Sequence, residues 1–200
     1  MSKFLNSINT RTLVLLLFMA LVAAARVLAS GTGGQISSLS HYTPIGAMAL
    51  FGGAYFSKYT KYLFPLLTLW ISDLLLNRLV FYGEWRLFYE GFYWVYGAFA
   101  LMVLVGQKLL RHFSFSRFLL AAFTIVLIHW LVTDIGMWLG GSMYPKTAAG
   151  LWSCLVAAIP FERNFLFGTL FYGVLMFGVF EWLKARSPRL RMSYNRNELC

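Results

Sequence analysis

Charged residues are scarce in this 200-residue chain: Asp, Glu, Lys and Arg together make up 12%, against about 25% in a typical soluble domain. Acidic residues are the scarcer sign, 7 against 17 Lys and Arg. Only Cys154 and Cys200 are available for thiol chemistry, which excludes a disulfide framework and any CxxC site. The terminal order Asn197-Glu198-Leu199-Cys200 is not the one that prenylation requires. HExxH, GxSxG and P-loop motifs are absent, and the three histidines, at 41, 112 and 129, are too scattered to form a metal-ligand set. These absences point away from an enzyme, a metal site and a bound cofactor.

What the chain has in abundance is apolar surface. Hydrophobic residues make up 60% and aromatics 18%, where about 45–50% apolar is usual, and one soluble core of this size cannot hide that much. The fold class expected is all-α integral membrane, a six-transmembrane-helix bundle. The segments are Thr12 to Ala29, Pro44 to Phe56, Leu63 to Val80, Phe92 to Gly106, Phe118 to Leu139 and Phe165 to Leu183. The second is short for a span, which takes about 20 residues. Ala148 to Phe161 is apolar but too short to cross, so a short interfacial or re-entrant helix is expected between helices 5 and 6. Lys3 and Arg11 before the first apolar run, with Ala23-Ala24-Ala25 after it, have the outline of a cleaved signal. Arg26 directly after those alanines is an awkward residue for cleavage, so a retained helix is expected.

The net charge of +10 follows topology rather than a nucleic-acid partner, because the basic residues lie between apolar segments and no basic stripe with interleaved aromatics occurs. With the N-terminus in the cytoplasm, Lys3, Arg11, Lys58, Lys61, Lys108, Arg111, Arg117, Lys184, Arg186, Arg189, Arg191 and Arg196 fall inside. Arg26, Arg78, Arg86, Lys146 and Arg163 fall outside or at outer helix ends. This is the bias that the positive-inside rule requires. It gives a multi-pass protein of the bacterial inner membrane with both termini cytoplasmic and loops 30–43, 81–91 and 140–163 external. Residues 1–183 read as one transmembrane domain, and 184–200 as a basic cytoplasmic tail able to touch anionic lipid headgroups.

Charges inside spans are the informative exceptions, since each costs at least ~2.5–3.5 kcal/mol at the bilayer centre. Arg26, Asp73 and Asp134 all fall in the outer half by their position along their segments, and pairing of Arg26 with a carboxylate relieves that cost. Asn77 shares a helix face with Asp73, and Trp130 shares one with Asp134, while Tyr93 and Trp94 open segment four at the same level. An aromatic-lined cavity with a few fixed polar groups has the make-up of a small-molecule site. The plainer alternatives are snorkelling of Arg26, structural pairing by Asp73 and Asp134, and an aromatic belt. Glu84, Glu90 and Glu162 fall in external loops without a clear partner. Ala20 and Ala24 on segment one, and Ala49 with Gly53 on segment two, are small-residue faces that permit close helix approach.

The string Arg26-Val-Leu-Ala-Ser-Gly, then Pro44-Ile-Gly-Ala-Met-Ala-Leu-Phe-Gly-Gly-Ala-Tyr-Phe, then Pro65-Leu-Leu-Thr-Leu-Trp-Ile-Ser-Asp73 resembles a family of bacterial six-helix membrane proteins. That family is similar in turn to the substrate-binding S components of energy-coupling factor (ECF) vitamin transporters. The resemblance covers roughly residues 20–80. It implies an S-component-like fold, a pocket opening outward beneath the first external loop, and docking of a helix-1 AxxxA surface, matched here by Ala20 and Ala24, on a transmembrane coupling subunit powered by ATPases. The function expected is uptake of a small, vitamin-like metabolite. Arg26, Asp73, Asn77, Tyr93, Trp94, Trp130 and Asp134 form the substrate site, Arg26 meeting an anionic ligand group and the stretch from Ser30 to Thr43 acting as a lid. The rivals are a non-transporting membrane scaffold or assembly subunit, and a lipid-modifying membrane enzyme, for which Glu84, Glu90 and His41 are thin material.

Overall fold

The structure, a computed structural model, describes residues 10–31, 43–57 and 59–190. Among them are six α-helices: α1 (Thr10–Gly31), α2 (Ile45–Tyr55), α3 (Thr60–Leu76), α4 (Phe92–Leu109), α5 (Phe115–Gly140) and α6 (Ala148–Arg186). All but α2 are long and apolar enough to cross a membrane. Their outer faces carry large apolar side chains, among them Leu17, Leu21, Leu67, Phe123, Leu127 and Phe171. A water-soluble monomer rarely shows so extensive an apolar exterior; the chain is built as a membrane protein.

Both described ends lie at the same end of the bundle, here the proximal end. The Arg11 guanidinium donates to the Leu190 carbonyl at 2.9 Å and to the Tyr55 carbonyl at 3.0 Å. These bonds tie the start of α1 to the end of α2 and to the 3-10 turn Pro188–Leu190 that follows α6. Tyr55 donates to Glu181 Oε1 at 2.6 Å, and Lys184 donates to the same oxygen at 2.6 Å. The stretch from residue 184, expected as a tail, thus continues as helix through Arg186 and packs Leu190 into the core.

The helix α2 shows little amphipathicity because it is surrounded. Nine of its residues are buried, and helix on helix contact at its small residues is close. A β-carbon on Gly53 would lie 2.0 Å from the Val103 carbonyl oxygen of α4, and one on Gly106 would lie 2.5 Å from the Leu50 carbonyl oxygen. The close approach expected of the Ala49 and Gly53 face is made to α4. Phe18, Phe51, Tyr55, Phe177 and Phe180 stack around the proximal half of α2.

One expectation is corrected. The expected interfacial helix at Ala148 to Phe161 and segment six are a single 39-residue helix, α6, with Pro160 inside it. At ~1.5 Å per residue it extends ~58 Å, well beyond a hydrocarbon core of about 30 Å. The run Glu162-Arg163-Asn164 interrupts the hydropathy but not the helix, because Glu162 turns inward to a partner while Arg163 stays exposed.

Candidate functional site

With α2 anchored at the proximal end and only ~16 Å long, its first turn stops inside the bundle. The buried side chains Val22, Leu69, Phe99, Ile125 and Phe165, one from each of the other five helices, belong to the same apolar cluster as α2. A β-carbon on Gly46 would meet Ile125 Cδ1 at 2.9 Å and Phe165 Cζ at 3.0 Å, which fixes the first turn of α2 at this level.

One helical turn further toward the distal end, each of those five helices changes from apolar to polar. The positions are Arg26 on α1, Asp73 on α3, Tyr96 on α4, His129 on α5 and Glu162 on α6. Offsets of three or four residues keep each on the inward face of its helix. By position along their helices these five residues form a polar layer, the polar ring, distal to the point where α2 begins.

The ring's known contacts fall into two groups. On the α1/α3/α4 side, Arg26 Nη1 lies 2.6 Å from Asp73 Oδ1 and also donates to Ser72 Oγ, with the two charged side chains 14% and 8% exposed. Tyr96 donates to the other carboxylate oxygen of Asp73 at 3.0 Å. Tyr89, in the α3–α4 connection, sits over this group: its burial, and then the nearby Asp73 carboxylate, hold its hydroxyl well above the ordinary tyrosine range, with Arg26 opposing. On the α5/α6 side, His129 Nδ1 lies 2.7 Å from Glu162 Oε1, and the imidazole stacks on Phe165 with centroids 4.4 Å apart. The other Glu162 oxygen is buried and has no hydrogen-bond partner among the described residues. Glu162, expected in an external loop, is corrected to a buried member of the ring.

The remaining expected site residues sit around this ring. Asp134 is in the distal half but not beside Arg26. It lies at the α5–α6 seam, within electrostatic reach of Glu162 and His129, with Oδ2 buried and without a partner among the described residues. Trp130 donates to the Leu155 carbonyl at 3.0 Å and holds that seam together. The Asn77 amide donates to the Arg86 carbonyl at 3.0 Å and anchors the α3–α4 connection where α3 ends in the π-helical turn Asn77–Phe81. Tyr93 and Trp94 line an open cleft of ≈ 320 Å³ with Tyr89, Thr133, Gly136 and Met137, and the Trp94 indole lies against Gly136. Ala20 and Ala24 are exposed on the outer face of α1, beside Leu17, Leu21 and Leu28. The expected lid from Ser30 to Thr43, with His41 and Tyr42, lies mostly outside the described residues, which omit 32–42.

Sequence reasoning missed Ser72, Tyr89, Tyr96 and Glu162. Tyr96 had a signal, since it precedes Phe99 by three residues on the inward face of α4. Among the described residues no group of His, Cys, Asp and Glu is arranged to hold a metal ion.

The chain matches, over residues 6–190, the family described as "Family of unknown function (DUF6580)", and it belongs to that family. No curated protein and no solved structure matches it significantly.

Proposed function

We propose that this member of a family without an assigned activity is a solute-uptake subunit of the bacterial inner membrane, similar to the S component of an ECF vitamin transporter. It binds a small metabolite in the polar ring and moves it into the cytoplasm. The observation that carries this reading is the ring itself: five helices turn polar in one layer, inside a bundle too apolar to keep such groups without a use for them. Arg26 and Asp73 form one wall and His129 and Glu162 the other, with the first turn of α2 as a floor. The distal end faces outward, because the basic residues crowd the proximal one. The exposed Ala20 and Ala24 face is where a transmembrane coupling subunit, driven by ATPases, docks. On this reading the chain performs no chemistry on its solute.

The test is purification in mild detergent, denaturation, and mass spectrometry of released small molecules, with D73N and E162Q prepared in parallel. A compound retained by the native chain and lost from both variants supports uptake. Empty preparations that hold a stoichiometric protein partner would instead favour the scaffold reading, which the exposed small-residue face of α1 also suits.

A further inference from the structure

We infer that the ligand of the polar ring is an organic cation, such as a protonated amine or amidine; this rests on the solute-binding reading above. The Arg26 charge is already engaged, lying 2.6 Å from Asp73 and bonded to Ser72, and the second Asp73 oxygen is taken by Tyr96. That side of the ring is neutral and largely satisfied. The other side is not. Glu162, 7% exposed, uses one oxygen on His129 and leaves the other buried and unpartnered among the described residues; Asp134 Oδ2 is in the same condition.

Two carboxylates therefore stand against at most one imidazolium and the first turn of α2, whose helix dipole supplies only about half a positive charge. Arg163, next to Glu162, is exposed on the outside of α6 and does not enter the balance. With both carboxylates ionised, the net charge on this side is negative with or without a proton on the imidazole. An anionic ligand would meet the buried Glu162 carboxylate, the buried Oδ2 of a half-buried Asp134 and a guanidinium already occupied. A cationic N–H donor satisfies the free oxygens of Glu162 and Asp134 and removes the imbalance, since a buried charge persists only when paired and hydrogen-bonded. An amine also suits the aromatic surroundings of Phe165 and Trp130, whose ring faces attract cations. A metal ion suits the site poorly, because no described cluster supplies three ligating side chains.

The experiment uses the full-length purified chain in detergent, following thermal unfolding and tryptophan fluorescence with three probes of like size: benzylamine, benzoate and benzyl alcohol. The expected result is that benzylamine alone raises Tm, and that E162Q weakens its binding at least tenfold, with D134N as the second variant should E162Q fold poorly. Stabilisation by benzoate, or equal stabilisation by benzyl alcohol, overturns the cation while leaving solute binding intact. If no probe acts, the charge of the compound released from the purified chain decides: a cation supports the inference, and an anion or neutral compound overturns it. No probe effect together with no released compound sinks both this inference and the uptake reading.

Discussion

Asp73 is held from three helices: by Arg26 of α1 at 2.6 Å, by Tyr96 of α4 at 3.0 Å, and by its own place on α3. Breaking a buried pair from one side leaves an uncompensated charge, which costs about 3–5 kcal/mol, whereas replacing both partners with apolar groups of similar volume is often close to neutral. D73N should therefore lower stability by about that amount, and R26M/D73L should recover most of it. Thermal or denaturant unfolding in one detergent compares them, and a double variant as unstable as D73N would refute the pairing. Y96F removes only one hydrogen bond to the carboxylate, and should cost about 1.5–3 kcal/mol in the same assay. The Arg26–Asp73 half of the site was legible because a charge in an apolar run is conspicuous and depth follows from counting residues along a helix. The partner choice was not: Asp134 has the same depth to within a turn or two, and only the packing order of helices puts it at the α5–α6 seam.

At the scale of elements, the short apolar α2 and the long α6 show what hydropathy records and what it misses. The boundaries of α3, α4 and α5 follow from their apolar runs. That α2 is a buried plug follows only once the helices around it are known, although its small residues already indicated close approach. The length of α6 was hidden because Pro160 and the polar Glu162-Arg163-Asn164 resemble a loop, yet Glu162 has a partner on α5 and Arg163 extends outward. The α2–α4 crossing supplies a sharp test. A methyl group on Gly53 runs into the backbone of α4, whereas one on Gly97, in the exposed part of α4, has nothing within 4 Å. G53A should destabilise by about 1–3 kcal/mol through overpacking. G97A should be neutral or stabilising by up to about 1 kcal/mol, because alanine favours helix over glycine. Equal effects on Tm would mean that the two helices do not cross at Gly53.

For the whole molecule, uptake requires that the ring open to the outside, and this depends on which end of the bundle faces the cytoplasm. Among the described residues, Arg11, Lys61, Lys108, Arg111, Arg117, Lys184 and Arg186 lie at the proximal end, with Arg78, Arg86 and Lys146 near the distal one and Arg26 and Arg163 in the distal half. Positive residues in short loops are retained on the cytoplasmic side, so the α5–α6 connection should be external and the α4–α5 connection internal. Met143, 72% exposed in the first, and His112, exposed in the second, are suitable reporters. With Cys154 and Cys200 replaced by serine, M143C should react with a membrane-impermeant maleimide in intact spheroplasts. H112C should react only after permeabilisation. The reverse pattern would place the ring in the cytoplasmic half of the membrane, where it could not collect a solute from outside. Labelling of both positions in intact spheroplasts would mean that α5, the helix between them, does not cross the bilayer.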